Sequence, residues 1–579
     1  MKGRISIFFF FFILLIAFFL IFKTDFNGPD QPIYYAYTES IVEDGDLNVI
    51  NNINFNHEYY FPEDIKSVTK TYNFPDFHGH GGVILWIPFY AYGKFLSLLP
   101  IQEGFSNNLV IRQKQFIQCL MSFSTILFGF LVLVLTYLLC RVYFSSAIAL
   151  FSTLIVCFGT PYFYFMLIEV GNAQILASLF SVISIWAVSF MIGKSKKNWF
   201  VYGLFFGMCL VVKADLWAQI FFLIFLFAFL IKIREINWTH CACFLAGVFP
   251  IGILKIINDY IKYVEFHIGE IGILNLKMSY LFEMLFSSYR GYFYTSPVFY
   301  LCFAGFIIVL VQFYKSFKSI GKPEELLEGD FRDIFIFILS VYLFIKIFII
   351  SRNFAWGGGT PGARVLLAEF PVFVMLLARI LDCKKKYVKL IVSVLSVVFV
   401  LWNMLVIAEF LGGLDFGYAL IKPAINLRII ALNNVSKLIF QIRSVDLKLY
   451  TCFVPLIIIS NIAFYLIVLA ERPKPYVWHD RGNAGKNDCK MLAIFTVFIS
   501  MTYLFITMSN VKLNNENTKR LRKTGYFNNA VVLERKNFER RENVGSMREM
   551  IEYFTFIGDN KKVFEIKNQI EILYEKNTL

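Results

Sequence analysis

The sequence predicts an all-α polytopic membrane protein, and three observations carry that prediction. Of its 579 residues, 58% are hydrophobic and only 17% charged, where a soluble chain carries about a quarter charged residues; mean hydropathy is +0.62. The apolar residues fall in long blocks, and a bilayer-crossing helix needs about 20 of them, at ~1.5 Å per residue through ~30 Å of hydrocarbon. Backbone polar groups find no water in lipid, so these blocks must be helices. Third, Lys and Arg gather at alternate block ends, which is the mark of cytoplasmic loops.

Thirteen spans are read along the chain. They lie near 5–22, 115–139, 145–165, 172–192, 199–213, 216–231, 241–257, 295–313, 333–350, 365–380, 388–408, 451–470 and 491–508. The first carries Lys2 and Arg4 ahead of a long Phe-rich run that lacks a small-residue cleavage site, so it reads as a retained helix rather than a removed signal. With that end inside, Arg141, Lys194 to Lys197, Lys232 with Arg234, Lys315 with Lys318, and Lys384 to Lys386 all fall inside. The net charge of +14 is then a topology signal, and no nucleic-acid partner is expected. The ten cysteines lie in spans, at their ends or in inner loops, and show no zinc-type spacing.

Four substantial segments are left outside: 23–114, 258–294, 351–364 and 409–450. The polar tail 509–579 should also be outside, although Lys519, Arg520, Arg522 and Lys523 close to the last span favour the opposite side. The chain divides into a membrane module over 1–380, further helices over 381–508, and this tail.

Candidate chemistry sits in the outer segments. Asp30 follows the first span between Pro29 and Gln31-Pro32; the prolines stiffen the backbone and fix a carboxylate near the interface, although a helix-end residue reads equally well. Asp44-Gly45-Asp46 is a turn signal. The run from His78 to Gly82 offers glycines whose N–H groups could hold a phosphate, or makes a plain interfacial turn; Asp76 beside the two histidines gives only a poor metal set. Arg290 stands among Tyr289, Gly291, Tyr292 and Tyr294, where a guanidinium can bind an anionic oxygen or snorkel. The string from Ser351 to Pro371 holds Trp356, a run of three glycines (Gly357 to Gly359), Gly362 and Arg364, then Glu369 inside the next span. A spacing of five does not suit an ion pair between Arg364 and Glu369 along one helix.

Four strings together resemble the membrane glycosyltransferases of the GT-C superfamily, in the branch of aminoarabinose transferases and relatives of protein O-mannosyltransferases. Asp30, Tyr34, Ser40, Gly45, Asp46 and Leu47 fit the Asp-led motif of the family's first outer loop. His78, Gly79, Gly81 and Pro88 match its H-G-x-G string, and LFSSYRGYFYTSPV resembles L-F-S-x-x-R-G-h-h-x-Y-S-P-h with Thr295 in place of the tyrosine. Trp356, Gly357, Gly358, Gly362, Arg364 and Pro371 resemble the W-x-G-G string, with a closely similar but not identical spacing. The resemblance covers about the first 380 residues.

It implies a GT-C-like bundle with a long first outer loop, and an inverting transfer of sugar from a polyprenyl-phosphate donor to a lipid, glycan or protein acceptor outside the cytoplasmic membrane. By position, Asp30 would be the general base, and Arg290, Arg364 and His78 would meet the donor phosphate. Asp46, Tyr34, Gly79, Gly81, Trp356 and Gly358 would position substrate. No metal ligand set is assigned; a divalent cation stays open. The chain has no Walker A pattern and no Rossmann glycine fingerprint, as suits a lipid-linked donor. An O-antigen-type polymerase or ligase, or a transporter, is the alternative. Lys213 with Asp215, and Glu169 with Asn172, lie between spans and would be rim residues here or midplane residues in a transporter.

Overall fold

A computed structural model describes residues 11–16, 18, 30–47, 49, 52, 81–98, 109–191, 195–263, 280–287, 290–317, 328–352, 362, 364–411 and 501. These residues are helical throughout, with no strand among them, as the composition requires. Helix α1 (Gln31–Glu39) and α2 (Ile87–Ser97) belong to the first outer segment. The long α3 (Leu109–Tyr143) is followed by α4 (Ser146–Gly159), α5 (Tyr162–Leu167), α6 (Ala173–Met191), α7 (Lys196–Val212), α8 (Gln219–Lys232) and α9 (Trp238–Tyr263). Short α10 (Leu281–Phe286) and α11 (Tyr292–Thr295) lead to α12 (Val298–Phe317), α13 (Glu328–Ile350), α14 (Phe370–Leu381) and α15 (Lys386–Leu411).

Five of these, α3, α9, α12, α13 and α15, are long and apolar enough to cross a membrane, and α4, α6 and α8 are shorter apolar helices. The expected spans at 451–470 and 491–508, residue 501 apart, and the tail 509–579 lie outside the described residues.

Three expected spans differ in detail, each for a backbone reason. The span at 145–165 is two helices, because Pro161 interrupts the amide ladder after Gly159 and Thr160 turns the chain. The span at 365–380 starts as a 3-10 segment, Arg364–Glu369, and becomes α-helical only at Phe370, where Pro371 occupies the first turn. The span at 216–231 is likewise entered through a 3-10 turn, Ala214–Ala218.

The core forms around α3 and α14. Every residue of α14 is buried, and it is apolar apart from Arg379 in its last turn. The outer faces of α9 and α15 carry exposed Leu245, Phe249, Ile253, Leu390, Val394 and Leu401, the surface a lipid phase would wet. Close helix approach uses small residues: a Cβ on Gly203 would lie 2.0 Å from the carbonyl oxygen of Phe244, and one on Gly247 2.1 Å from that of Phe200. Only glycine lets α7 and α9 cross so tightly.

The two ends of the bundle differ. At one end Arg379 donates to both carboxylate oxygens of Asp333, at 2.8 and 3.1 Å. Arg332 reaches Asp333 and Asp382 and lies over the Phe144 ring. This network joins the end of α3, the start of α13 and the end of α14, all assigned to the inner side by the basic clusters. The opposite end gathers Asp30, the 160–172 connection, the 290–297 segment and Arg364.

Candidate functional site

Asp30 occupies the N-cap position of α1, and its carbonyl accepts from Tyr34 N at 3.3 Å. Its carboxylate does not cap that helix. Instead Arg364 Nη1 donates to Asp30 Oδ2 at 2.6 Å, across 334 residues of sequence. Both side chains are largely but not wholly covered, at 15% and 21% exposure. The helix-end and site readings of Asp30 therefore both describe it: the backbone starts a helix while the side chain leaves it.

Three local structures bring the pair together. Helix α1 is buried along most of its length, and Gln31 Nε2 donates to the carbonyl of Val170, which docks its start on the α5–α6 connection. That connection turns at Gly171, with φ of +75°, and Gly171 N donates to Thr125 Oγ1 on α3 at 2.9 Å. Arg364 begins the 3-10 segment, two residues after Gly362, whose φ is +97°. A Cβ on Gly362 would lie 2.8 Å from Pro161 and 3.0 Å from the Thr295 hydroxyl. Only a glycine turns the chain there with a left-handed φ. The same contact brings the Arg290–Pro297 string beside the Arg364 string.

Glu169 is the residue that the motifs missed. It is 5% exposed, accepts from Asn172 Nδ2 at 3.2 Å, and bonds the Tyr164 hydroxyl. Burial pushes its carboxyl from 4.5 up to about 7; the Arg364 guanidinium pulls it down, and the Asp30 carboxylate pushes it up again. A hydrogen-bonded chain runs on from it: Asn172 Oδ1 accepts from Gln174 N at 3.1 Å, and Gln174 Oε1 accepts from Lys213 Nζ at 2.7 Å. Lys213 is 7% exposed. The signal in the sequence was polar residues between apolar blocks, which spacing alone could not separate from midplane residues.

The remaining expected residues fall as follows. Asp46 is 2% exposed, and its Oδ1 accepts from Ser40 Oγ at 2.7 Å, across a π-helical turn (Ser40–Asp44) closed by left-handed Gly45. It orients the loop. Tyr34, expected to position substrate, is buried against Trp86, ring centroids 5.6 Å apart, and packs α1. Gly81 is buried where a Cβ would lie 2.7 Å from the Val211 side chain, a close approach to the end of α7 next to Lys213. Arg290 is a half-buried turn residue between α10 and α11. His78, Gly79, Trp356 and Gly358 lie outside the described residues. Among the described residues no group of three or more His, Cys, Asp or Glu converges as metal ligands would.

Farther along the same loop, Lys94 bonds both oxygens of Glu43 at 2.5 Å, and the Tyr90 hydroxyl donates to Glu43 Oε1 at 3.2 Å. Neighbouring Glu39 is raised to about 7, chiefly by burial, against the pull of Lys114 and with further push from Asp44 and Glu43.

Residues 115–253 match the family described as dolichyl-phosphate-mannose-protein mannosyltransferase. The matched stretch runs from α3 into α9 and contains Glu169, Asn172 and Lys213, while Asp30, Arg290 and Arg364 lie on either side of it. No curated protein and no solved structure matches the chain. The chain thus resembles the GT-C membrane glycosyltransferases both in the four strings and in a separate, intervening stretch.

Proposed function

We propose that this chain is an inverting membrane glycosyltransferase. It takes a sugar, mannose by the family matched, from a polyprenyl-phosphate donor and passes it to a lipid, glycan or protein hydroxyl on the outer face of the cytoplasmic membrane. The observation that carries the reading is the Asp30–Arg364 contact, which joins a base and an anion-binding group from opposite ends of the resembling region.

The chemistry follows from those two groups. Asp30 takes the acceptor's hydroxyl proton as that oxygen attacks the anomeric carbon. The bond from that carbon to the phosphate oxygen breaks on the opposite face, and its electron pair stays with the lipid phosphate. The leaving phosphate gains one negative charge, so it needs placed donors rather than an acid. Arg364 supplies them in this reading, because a guanidinium presents five N–H donors in a planar fork that suits a phosphate. Arg290 is the second cation, as the resemblance implies, and its string meets the Arg364 string where Thr295 packs on Gly362. Glu169 lies within electrostatic reach of both Asp30 and Arg364 and balances the guanidinium while no phosphate is bound. Outward sidedness rests on the basic loops, which put this end of the bundle opposite the Arg332 and Arg379 network.

The test is Asp30→Asn in membranes, with the protein present at wild-type level. Transfer from a polyprenyl-phosphate mannose donor, followed by mass spectrometry of membrane glycolipids and surface glycans, should fall by about 10²-fold or more, the scale of a lost general base. Unchanged transfer in that variant would remove Asp30 from the mechanism.

A further inference from the structure

The most deeply buried ion pair among the described residues lies away from the candidate site. Lys346 Nζ contacts Glu369 Oε1 at 2.7 Å, with the two side chains 1% and 0% exposed. The hydroxyl of Tyr342, one turn away on α13, donates to the same oxygen at 2.5 Å. Lys346 stands in the apolar window of α13. Burying two charges is costly, and a well-packed apolar pair is often as stable or more so. Stability alone is therefore a poor reason for this pair.

Its place in the fold gives a better one. Glu369 ends the 3-10 segment that Arg364 begins. At about 2.0 Å per residue the two ends are about 10 Å apart, so Glu369 is a fixed point behind the guanidinium and not part of its immediate surroundings. A short 3-10 segment holds itself weakly, and Pro371 bars it from joining the amide ladder of α14 in its first turn. It must be held from outside. The Ser178 hydroxyl on α6 donates to the carbonyl of Leu367 at 2.9 Å, and Lys346 and Tyr342 on α13 hold Glu369. Helix α6 begins just after the connection that carries Glu169. One strut is thereby tied to α6, which begins beside the candidate site, and to α13.

We infer that the Lys346–Glu369–Tyr342 cluster is a positioning anchor for Arg364, setting the depth at which the guanidinium meets the donor phosphate. This rests on the proposed role of Arg364, and the test separates the two ideas. The variants are Lys346→Met with Glu369→Gln, singly and together, and the milder Tyr342→Phe, all in the full-length protein. The double variant leaves no lone buried charge, so it folds even where a single one does not. Backbone hydrogen exchange over 364–369, compared with 372–381 in the same sample, reads the anchor without any activity. The apparent KM for a polyprenyl-phosphate mannose donor and kcat read its consequence.

The expected result is about tenfold faster exchange confined to 364–369 in the double variant, and a smaller change in Tyr342→Phe. KM should rise about tenfold while kcat changes less, at an unchanged melting temperature. Wild-type protection and wild-type KM in the folded double variant would overturn the anchor, as would a uniform rise in exchange over both stretches. If wild-type protein neither transfers mannose nor binds undecaprenyl phosphate, the functional reading fails, and the exchange comparison still decides whether the strut is held by this cluster.

Discussion

Raising the pH from about 5 to about 8 should ionise two carboxyl groups that the fold has buried, and the cost can be worked out. Glu169 moves from its ordinary 4.5 to about 7. At about 1.4 kcal/mol per pH unit, that difference is worth about 3 kcal/mol. The sign follows from which state holds the proton. A carboxyl raised by burial is bound more tightly to its proton in the folded state, so the stabilisation is complete below about 4.5 and disappears as pH rises through about 7. Glu39 has the same sign and is also raised to about 7, but it is partly solvated and contributes less.

The perturbation is Glu169→Gln, which keeps the oxygen that accepts from Asn172 and removes the titration. Wild-type protein in detergent should lose a few degrees of melting temperature between pH 5 and pH 8, since 1 kcal/mol corresponds to roughly 2–4 °C in chains of about 150–250 residues and to less in a longer one. Glu169→Gln should lose clearly less, and the remaining slope should shrink again on adding Glu39→Gln. The partners give a directional check. Asp30→Asn removes a repulsion and should move the Glu169 transition to lower pH; Arg364→Gln removes an attraction and should move it higher. Parallel melting curves for wild type and Glu169→Gln across this range would refute the placement of Glu169 against the Asp30–Arg364 pair, and so would an upward shift in Asp30→Asn.

Two more outcomes follow from the fold. Gly203→Leu or Gly247→Leu must push α7 from α9, because even a Cβ would meet a carbonyl oxygen at 2.0 or 2.1 Å; the yield of folded protein in size-exclusion chromatography should drop sharply, whereas Gly252→Leu, with open space around it, should be tolerated. Single cysteines placed at Ser287 and at Lys385, in a background cleared of reactive native thiols, should react with an impermeant maleimide from opposite sides of the membrane, Ser287 from outside.

Helix type and much of the site were legible because membrane physics leaves few choices. A long apolar block in lipid has to be a helix, and the basic clusters fix the alternation of ends. Asp30 and Arg364 were legible through motif resemblance, and no spacing rule could have joined residues 334 apart. The spacing argument against an Arg364–Glu369 pair agrees with the fold, where each takes a different partner. Breaks within spans were harder to read. Pro161 and Pro371 were visible, but whether a proline kinks a helix, ends it or starts it depends on what satisfies the freed carbonyls. Here Thr160 returns its hydroxyl to Val156, and Ser178 meets Leu367. Glu169 stayed ambiguous because a lone carboxylate between apolar blocks carries no information on depth until α1 docks against its connection.

These breaks and the candidate chemistry coincide. Asp30 stands at a helix start, Glu169 in a connection turned by Gly171, Lys213 before a 3-10 turn, Arg290 in a turn, and Arg364 at the head of a 3-10 segment. Irregular backbone at membrane depth is tolerated only where protein buries it or it faces a polar cavity. Helix interiors present side chains at a period set by the helix itself, whereas a broken end can aim a charged group along the bundle axis. Five polar groups from five separate connections therefore reach one end of the bundle, while the apolar helix bodies keep the surface that lipid wets. The donor pocket proposed above, for a phosphate on a greasy tail, would need that division: fixed charges at the rim, and hydrocarbon walls immediately below.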